Sequence, residues 1–278
     1  MSNTNTTKPI LVLGGTGKTG RRVAKQLQKR GLPVRIASRS SEARFDWNDA
    51  STWAPALQGV AAIYITYQPD LAVPGAVEAV QALAKLALEH DVKRMVLLSG
   101  RGEEEAQRAE KVLQHSGADW TIVRASWFAQ NFSESFLFDA VLAGEVALPV
   151  GDIEEPFIDV DDIVDVVVEA LTDPAHIGQT YEVTGPRMLT FADAIEEIAK
   201  ASGRIINYKK ITAEEYASML KQHDVPADYI SLVMYLFTTV MDGRNAHTSD
   251  GVQRALGREP ADFITYAKKT AVTGIWSK

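Results

Sequence analysis

The sequence contains no cysteine. This absence excludes disulfides, thiol nucleophiles and cysteine-bound metals. An excess of basic residues is missing as well: 29 Lys and Arg stand against 36 Asp and Glu, which gives a formal net charge of -7. Without a positive field or a local Lys/Arg block, nothing attracts a phosphodiester backbone. We therefore expect no direct nucleic-acid partner.

Long hydrophobic runs are also absent. No apolar stretch reaches membrane-spanning length, and the polar residues Met1 to Lys8 lack the apolar centre of a signal peptide. We expect a cytoplasmic protein with a loose N-terminal tail at residues 1–8 and no membrane contact. The 278 residues, 46% of them hydrophobic, suffice for one large α/β domain or for a domain with a smaller lobe.

Three sets of catalytic residues are missing from the sequence. The five histidines form no i, i+4 pair, so no metal site is expected. A G-x-S-x-G nucleophile elbow is absent, which disfavours that class of hydrolase. None of the eight tyrosines has a lysine four residues later. The Tyr-x-x-x-Lys pair, in which a lysine lowers the pKa of a tyrosine acid, is therefore unavailable.

A glycine-rich turn is the strongest motif that is present. An apolar run from Ile10 leads into Gly14-Gly15-Thr16-Gly17-Lys18-Thr19-Gly20, which is followed by residues that favour a helix. The spacing excludes a P-loop, because Val12 occupies the position of its first glycine. Gly14, Gly17 and Gly20 instead form a variant of the dinucleotide fingerprint, which binds a pyrophosphate at a helix N-terminus. A glycine turn without a ligand is the alternative.

The end of the second expected strand favours one dinucleotide over the other. Ser38-Arg39-Ser40 stands where a dinucleotide fold meets the adenosine ribose. An acidic residue there would bind the 2′-hydroxyl of NAD, whereas an arginine accommodates the 2′-phosphate of NADP. Arg39 therefore predicts NADP as the cofactor, and a solvated surface arginine is the alternative interpretation.

Other strand ends carry further candidate ligand contacts. Asp46 and Trp47 are candidates for the adenine, and Thr66 and Tyr67 are candidates for the ribose and pyrophosphate, although each could equally pack within its loop. Ser99 ends a buried strand where its hydroxyl could reach the nicotinamide or a substrate carbonyl, or could instead bond to the backbone.

The aromatic segment after the strand Trp120 to Ala125 supplies the remaining candidates. Asn131 could donate a hydrogen bond to a substrate oxygen or cap a loop. The side chains of Trp127, Phe128 and Phe132 could wall a substrate pocket or simply pack in the core.

Strands and helices alternate regularly up to about Ala125, which predicts a doubly wound, Rossmann-type parallel sheet. We expect an NADP-binding domain over residues 9–131 and a smaller, interleaved α/β substrate lobe over residues 132–278, with a soft boundary and with strands that can return from the later part. Within that lobe the pattern predicts a helix over Phe132 to Gly144, a strand over Pro156 to Val160 and helical structure from Thr212 to Val240.

Several stretches together resemble the NmrA-like branch of the atypical short-chain dehydrogenase/reductase superfamily, over roughly residues 9–204. Besides the glycine turn they are Val96-Leu97-Leu98-Ser99, Ser116-Gly117-Ala118-Asp119-Trp120-Thr121-Ile122-Val123-Arg124, Trp127-Phe128-x-x-Asn131-Phe132 and Phe157-Ile158-Asp159-Val160-Asp161-Asp162-Ile163. Within the branch, the chain is similar to the reductases that include NADPH:quinone oxidoreductases and ergot-alkaloid dehydrogenases.

The resemblance implies that Thr16 to Thr19, including Gly17 and Lys18, contact the pyrophosphate and that Ser38-Arg39 hold the 2′-phosphate. It also implies that the residues around Ser99 and Arg124-Ala125 border the nicotinamide. The chain departs from the family pattern at two positions expected near the nicotinamide. Ala106 stands where some members carry lysine or histidine, and Arg124-Ala125 replaces the family's Arg-Pro.

We expect an NADPH-dependent reductase that transfers a hydride to a small quinone, enone, iminium or carbonyl substrate, with Ser99, Asn131 or a water assisting the oxygen. The alternative is a redox sensor that binds NADP(H) and signals to a protein partner without turnover. No oligomeric state is predicted.

Overall fold

The computed structural model describes residues 8–277, which contain a seven-stranded sheet, a two-stranded sheet and flanking helices. The strands are β1 (Ile10–Leu13), β2 (Val34–Ser38), β3 (Ala43–Arg44), β4 (Ala62–Ile65), β5 (Arg94–Gly100), β6 (Asp119–Ala125), β7 (Glu145–Leu148), β8 (Gln179–Val183) and β9 (Asn207–Lys210).

The α-helices are α1 (Gly20–Lys29), α2 (Trp53–Leu57), α3 (Ala76–Glu89), α4 (Glu104–Gln114), α5 (Asn131–Glu134), α6 (Phe138–Ala143), α7 (Val160–Thr172), α8 (Phe191–Ser202), α9 (Ala213–Gln222), α10 (Ala227–Tyr235), α11 (Gly251–Leu256) and α12 (Phe263–Val272). A π-helical turn spans Leu236–Val240. None of the helices within residues 8–277 combines the length and the apolar character needed to cross a bilayer.

The large sheet has the predicted Rossmann-type arrangement. Its strand order is β3-β2-β1-β4-β5-β6-β8, and β1 pairs in parallel with both β2 and β4. The strand order reverses between β1 and β4, and ligands of such sheets bind outside the carboxyl ends of the strands at this switch point. Every residue of β1 and β4 is buried, as expected of central strands covered by helices on both faces.

The chain forms two compact units. The first contains the described residues up to Arg124, together with Ile163–Glu182 and Arg254–Gly257. The second contains Ala125–Asp162, Val183–Gln253 and the described residues from Arg258 onward. The functional division at residue 131 into a cofactor domain and a substrate lobe stays a prediction, as does the loose tail, which lies outside the described residues except for Lys8.

Two capping boxes start helices of the second unit. In α8 the Thr190 hydroxyl accepts a hydrogen bond from the Asp193 backbone N–H, and the Asp193 carboxylate accepts one from the Thr190 N–H. Thr212 and Glu215 repeat this arrangement at the start of α9. Such reciprocal bonds satisfy helix N–H groups that have no partner within the helix.

Two secondary-structure predictions for the second unit were wrong, and a third was confirmed. The expected helix over residues 132–144 is two short helices, α5 and α6, because the chain is extended at Ser135. The expected strand over residues 156–160 makes a single isolated bridge, between Ile158 and Phe128, and its last residue already begins α7. The predominantly helical structure expected from Thr212 to Val240 is confirmed: it consists of α9, α10 and the π-helical turn, and residues 223–226 separate α9 from α10.

Candidate functional site

The glycine turn closes tightly between β1 and α1. Gly14 has a φ of +58°, and a Cβ added there would lie 2.5 Å from Thr66 Oγ1. A Cβ on Gly20 would lie 2.3 Å from the Gly14 carbonyl oxygen, so only glycine lets the helix start so close to the turn. These two glycines therefore serve the fingerprint's needs for a tight turn and for close helix packing.

The N-terminus of α1 has no side-chain cap. Thr19 stands at the capping position in a helical conformation, and its hydroxyl accepts no hydrogen bond from the first turn. Thr16 and Gly17 are exposed, whereas Lys18 is half-buried. N–H groups at a helix start that no side chain satisfies, together with the helix dipole, form a binding site for a phosphate. The turn thus fits the pyrophosphate of a dinucleotide.

Hydroxyl groups and an arginine gather at the carboxyl end of β2. The Ser38 and Ser41 hydroxyl oxygens lie 2.9 Å apart, and the Ser38 hydroxyl also accepts hydrogen bonds from the Ser40 and Ser41 N–H groups. Arg39 and Ser40 are exposed. The arginine and the hydroxyl groups are side chains that suit a ribose phosphate, and no acidic side chain stands between Ser38 and Ser41.

The remaining adenine and ribose candidates form one aromatic corner. Trp47 packs against Tyr67 with ring centroids 4.7 Å apart, and its Nε1 donates a 3.0 Å hydrogen bond to the Thr66 carbonyl. Asp46 accepts hydrogen bonds from the Asn48 N–H and the Trp53 indole. Burial, with a smaller contribution from Glu78, raises the pKa of Tyr67, which makes its phenol a weaker acid.

The Ser99 hydroxyl donates a hydrogen bond to a buried carboxylate. Its Oγ lies 2.6 Å from Oε1 of Glu110, which is on α4 and only 2% exposed. The alternative expected from the sequence, a hydrogen bond from the Ser99 hydroxyl to the backbone, is therefore replaced by this bond to a side chain. Glu110 is one helical turn after Ala106, on the buried face of the same helix.

Glu110 is in turn held by Arg124 of β6. The Arg124 Nε and Nη2 atoms donate to the two carboxylate oxygens of Glu110 at 2.9 and 2.5 Å. Arg124 Nη1 reaches Glu182 at 3.3 Å, and Arg101 Nε donates to Glu182 at 2.7 Å. The hydrogen bonds to Glu110 raise the pKa of Arg124, which favours its protonated, positively charged form. We call this set the polar cluster: Ser99, Arg101, Glu110, Arg124 and Glu182.

A second buried carboxyl group lies between β5 and α4. Glu103, 8% exposed, hydrogen-bonds to Asp70, and a Cβ added to Gly100 would lie 2.2 Å from its Oε1. Burial, the neighbouring Asp70 charge and Glu110 raise the pKa of Glu103 well above its usual range. Glu103 therefore keeps its proton to a higher pH than an exposed glutamate does.

Asn131 begins α5 in the second unit, so the two catalytic candidates, Ser99 and Asn131, belong to different units. The Asn131 N–H donates to the Phe128 carbonyl at 3.0 Å, and its side chain is half-buried. Nearby, Asp159 caps α7 by accepting a hydrogen bond from the Asp161 N–H, as an aspartate before a helix is expected to do.

Two half-buried aromatic rings, those of Trp127 and Phe136, pack around the buried ring of Phe237 in the second unit. The Trp127 ring is stacked on Phe237 with centroids 5.1 Å apart and lies edge-on to Phe136 at 6.2 Å. Phe237 is on the π-helical turn, whose extra residue changes which side chains face these rings. We call Trp127, Phe136 and Phe237 the aromatic wall. Phe132, by contrast, is fully buried and belongs to the core.

The sequence analysis missed Glu110, Arg101, Glu182 and the Asp70–Glu103 pair. One signal was available: Glu110 follows Ala106 and Ala109 on the apolar face of α4, where a charged residue needs a partner.

Among residues 8–277, no group of three or more metal-ligating side chains is placed to hold a metal ion.

Comparison with known proteins identifies the family. The model of the NAD(P)H-binding family matches residues 14–174, more than half of the chain. The chain belongs to this family, and the resemblance to the NmrA-like atypical short-chain dehydrogenases/reductases is confirmed.

Three relatives match nearly the full length. An uncharacterized oxidoreductase, YesF of Bacillus subtilis, is 31% identical and covers 97% of this chain and 98% of its own length. Agroclavine dehydrogenase of Claviceps fusiformis is 31% identical, with coverage of 92% and 96%. NAD(P)H azoreductase of Xenophilus azovorans is 30% identical, with coverage of 94% and 98%. Relatives named as oxidoreductases and reductases support an oxidoreductase.

Solved structures confirm the fold. A nucleoside-diphosphate-sugar epimerase from Staphylococcus aureus has a TM-score of 0.80 at 18% identity, covering 94% of this chain and 99% of its own. An NADPH-dependent quinone oxidoreductase of Escherichia coli in complex with NADPH has a TM-score of 0.76 at 19% identity, with coverage of 94% and 99%. The negative transcriptional regulator NmrA has a TM-score of 0.70 at 15% identity, with coverage of 96% of each chain.

Proposed function

We propose that this protein is an NADPH-dependent reductase that delivers a hydride to a small electrophilic quinone, enone, iminium or carbonyl substrate. The observation that carries the proposal is the closed glycine turn before a helix start without a side-chain cap, with Arg39 at the end of the neighbouring strand. When bound, NADPH supplies the hydride. The turn holds the pyrophosphate through backbone N–H groups, and Arg39 with the Ser38 and Ser40 hydroxyls holds the 2′-phosphate.

The aromatic wall supports a flat, unsaturated substrate. The Trp127 and Phe136 rings offer apolar faces that are only half covered, and such faces stack on conjugated rings. Relatives named for agroclavine and for azo compounds, and a structural neighbour named for quinones, point in the same direction. Acceptors of this kind need little acid assistance, which suits a chain without a Tyr-x-x-x-Lys pair.

The test of turnover follows NADPH oxidation at 340 nm across a panel of quinones, enones, cyclic iminium ions and simple ketones. We expect oxidation with at least one conjugated acceptor and slower or no oxidation with ketones. Replacing Trp127 by alanine should raise the KM for that acceptor about tenfold, the value of one lost stacking contact, and leave NADPH binding unchanged. Tight NADPH binding without oxidation of any acceptor would overturn the reductase proposal.

A redox sensor without turnover is the second candidate. One observation favours it: the Ser99 hydroxyl donates its hydrogen bond to Glu110, and the Ala106 position carries no acid, so neither of these two positions offers a proton to a substrate. A sensor would bind NADPH and NADP+ with different affinities and change its association with a protein partner. Equal affinities for the two forms would remove this candidate.

The preference for NADP has its own test. Arg39→Asp places a negative charge where the 2′-phosphate would bind, so we expect about a 100-fold loss of NADPH affinity and little change for NADH. Arg108→Asp, an exposed arginine on α4, is the matched control and should affect neither. Equal losses for both cofactors in Arg39→Asp would contradict the assignment.

A further inference from the structure

The Ser99 hydroxyl is oriented by the polar cluster. Glu110 accepts three hydrogen bonds, one from Ser99 and two from the Arg124 guanidinium. A carboxylate paired in this bidentate way with a guanidinium is ionised and has no proton to give. The hydrogen atom of the Ser99 hydroxyl must therefore point toward Glu110, and its oxygen lone pairs must point elsewhere.

Those lone pairs have no partner in the described chain. Ser99 is 5% exposed, and none of residues 8–277 donates a hydrogen bond to its Oγ. A nearly buried acceptor at the carboxyl end of a sheet strand faces the edge where a dinucleotide lies. Since β5 belongs to the half of the sheet beyond β4, this is the half that receives the nicotinamide.

We propose that Glu110, held by Arg124, positions Ser99 as a hydrogen-bond acceptor for the carboxamide N–H of the nicotinamide. This inference rests on the proposed function and deepens it. Ser99 orients the cofactor ring and does not donate a proton to the substrate. Glu110 and Arg124 act through Ser99 and are positioning residues.

The place of Glu110 on α4 brings its carboxylate to the sheet. Ala106 and Glu110 are four residues apart, so both face the same side of the helix, toward β5 and β6. An ionised carboxylate can only accept hydrogen bonds, so it fixes the direction of the bond from Ser99.

The test compares two cofactors that differ in one group. In 3-acetylpyridine adenine dinucleotide phosphate, a methyl group replaces the carboxamide nitrogen, so this analogue cannot donate to Ser99. Calorimetric titration of the wild-type protein should give about tenfold tighter binding of NADP+ than of the analogue, the difference expected of one hydrogen bond in a buried site. In Ser99→Ala this ratio should fall to about one.

Glu110→Gln tests the positioning role. The glutamine amide would turn its nitrogen toward Ser99 because its oxygen pairs with Arg124. Ser99 would then accept that bond with one lone pair, and its hydroxyl hydrogen would turn outward, toward the carboxamide N–H that it is proposed to accept. The ratio should fall to within about twofold of one, and adding Glu110→Gln to Ser99→Ala should change it no further. Glu105→Gln, on the same helix but at the surface, is the matched control and should keep the tenfold ratio.

The outcomes separate the two proposals. A wild-type ratio of one, or a tenfold ratio retained in Glu110→Gln, overturns the inference while NADP+ binding leaves the proposed function intact. No binding of either dinucleotide by the wild-type protein overturns both. If Glu110→Gln does not fold, as judged by its thermal unfolding, the variant Glu110→Leu/Arg124→Met removes the charges together, and the same ratio of about one is expected.

Discussion

Both units have an apolar core, but each also contains a side-chain cluster held together by a different force. In the first unit, the polar cluster links Ser99, Glu110, Arg124, Glu182 and Arg101 through directional hydrogen bonds between opposite charges. In the second, Phe132 lies among Phe157, Phe191 and Phe263, with centroids 5.6 to 6.0 Å apart. The polar cluster depends on each member having its partner, whereas the aromatic cluster depends on filled volume.

The largest effect is expected in the aromatic cluster. Phe132→Ala removes a fully buried ring and leaves a cavity, so we expect a loss of about 4 kcal/mol in the free energy of unfolding. Urea unfolding measures it. Phe138→Ala, which removes a half-buried ring of the same unit, is the control and should cost less than half as much. Similar losses for both would show that burial does not set the difference.

A smaller loss of stability is expected in the polar cluster, and a second substitution should partly reverse it. Glu110→Ala leaves the Arg124 guanidinium paired only with Glu182, and we expect a loss of about 3 kcal/mol. Adding Arg124→Met should recover part of this loss, because the guanidinium that has lost Glu110 disappears and Glu182 keeps Arg101. Urea unfolding of the single and double variants decides; a double variant less stable than Glu110→Ala would refute the role of paired charge.

The Asp70–Glu103 pair predicts a pH dependence confined to the first unit. Because the folded pKa of Glu103 is raised, its contribution to stability is complete below its unfolded pKa and is lost as pH rises through the folded pKa. Glu103→Gln keeps a neutral donor for Asp70 at every pH. We expect it to match the wild type near pH 5 and to exceed it by about 1 kcal/mol above the folded pKa.

Thermal unfolding of wild type and Glu103→Gln across that pH range measures the difference. Glu104→Gln, next to it at the exposed start of α4, serves as the control and should follow the wild-type curve. Parallel curves for Glu103→Gln and the wild type would show that Glu103 is ionised throughout.

The smallest effect is expected for a charge pair at the surface of α4. Arg108 Nη1 and Glu105 Oε1 are 2.7 Å apart, but the two side chains are 62% and 40% exposed. Glu105→Gln should change the free energy of unfolding by no more than about 0.5 kcal/mol, because solvent screens exposed pairs. A loss as large as that of Glu110→Ala would erase the distinction between buried and exposed pairs in this unit.

Regular periodicity made the first part of the fold predictable. The apolar runs of β1, β4 and β5 and the helices between them required a parallel sheet, and the strand order agrees. The shorter elements of the second unit were less predictable. Ser135 interrupts a pattern that reads as one helix, since tertiary packing rather than periodicity sets that break.

The site was predictable where it depends on the backbone and less so where it depends on side chains distant in sequence. Gly14 and Gly20 made the turn predictable, because only glycine tolerates its conformation and close contacts. Glu110, in contrast, looks like one more charged residue of a charged helix, and its partners Ser99 and Arg124 come from two separate strands.

By itself, then, the sequence determined the sheet, the glycine turn, the family and the absence of a Tyr-x-x-x-Lys pair, because local periodicity and spacing encode them directly. Only the tertiary structure decided that the Ser99 hydroxyl donates a hydrogen bond to Glu110, that Arg124 holds that carboxylate, and that Trp127 stacks on Phe237. The physical reason is that burial and hydrogen-bond direction depend on which elements meet in space, and chain order does not specify this.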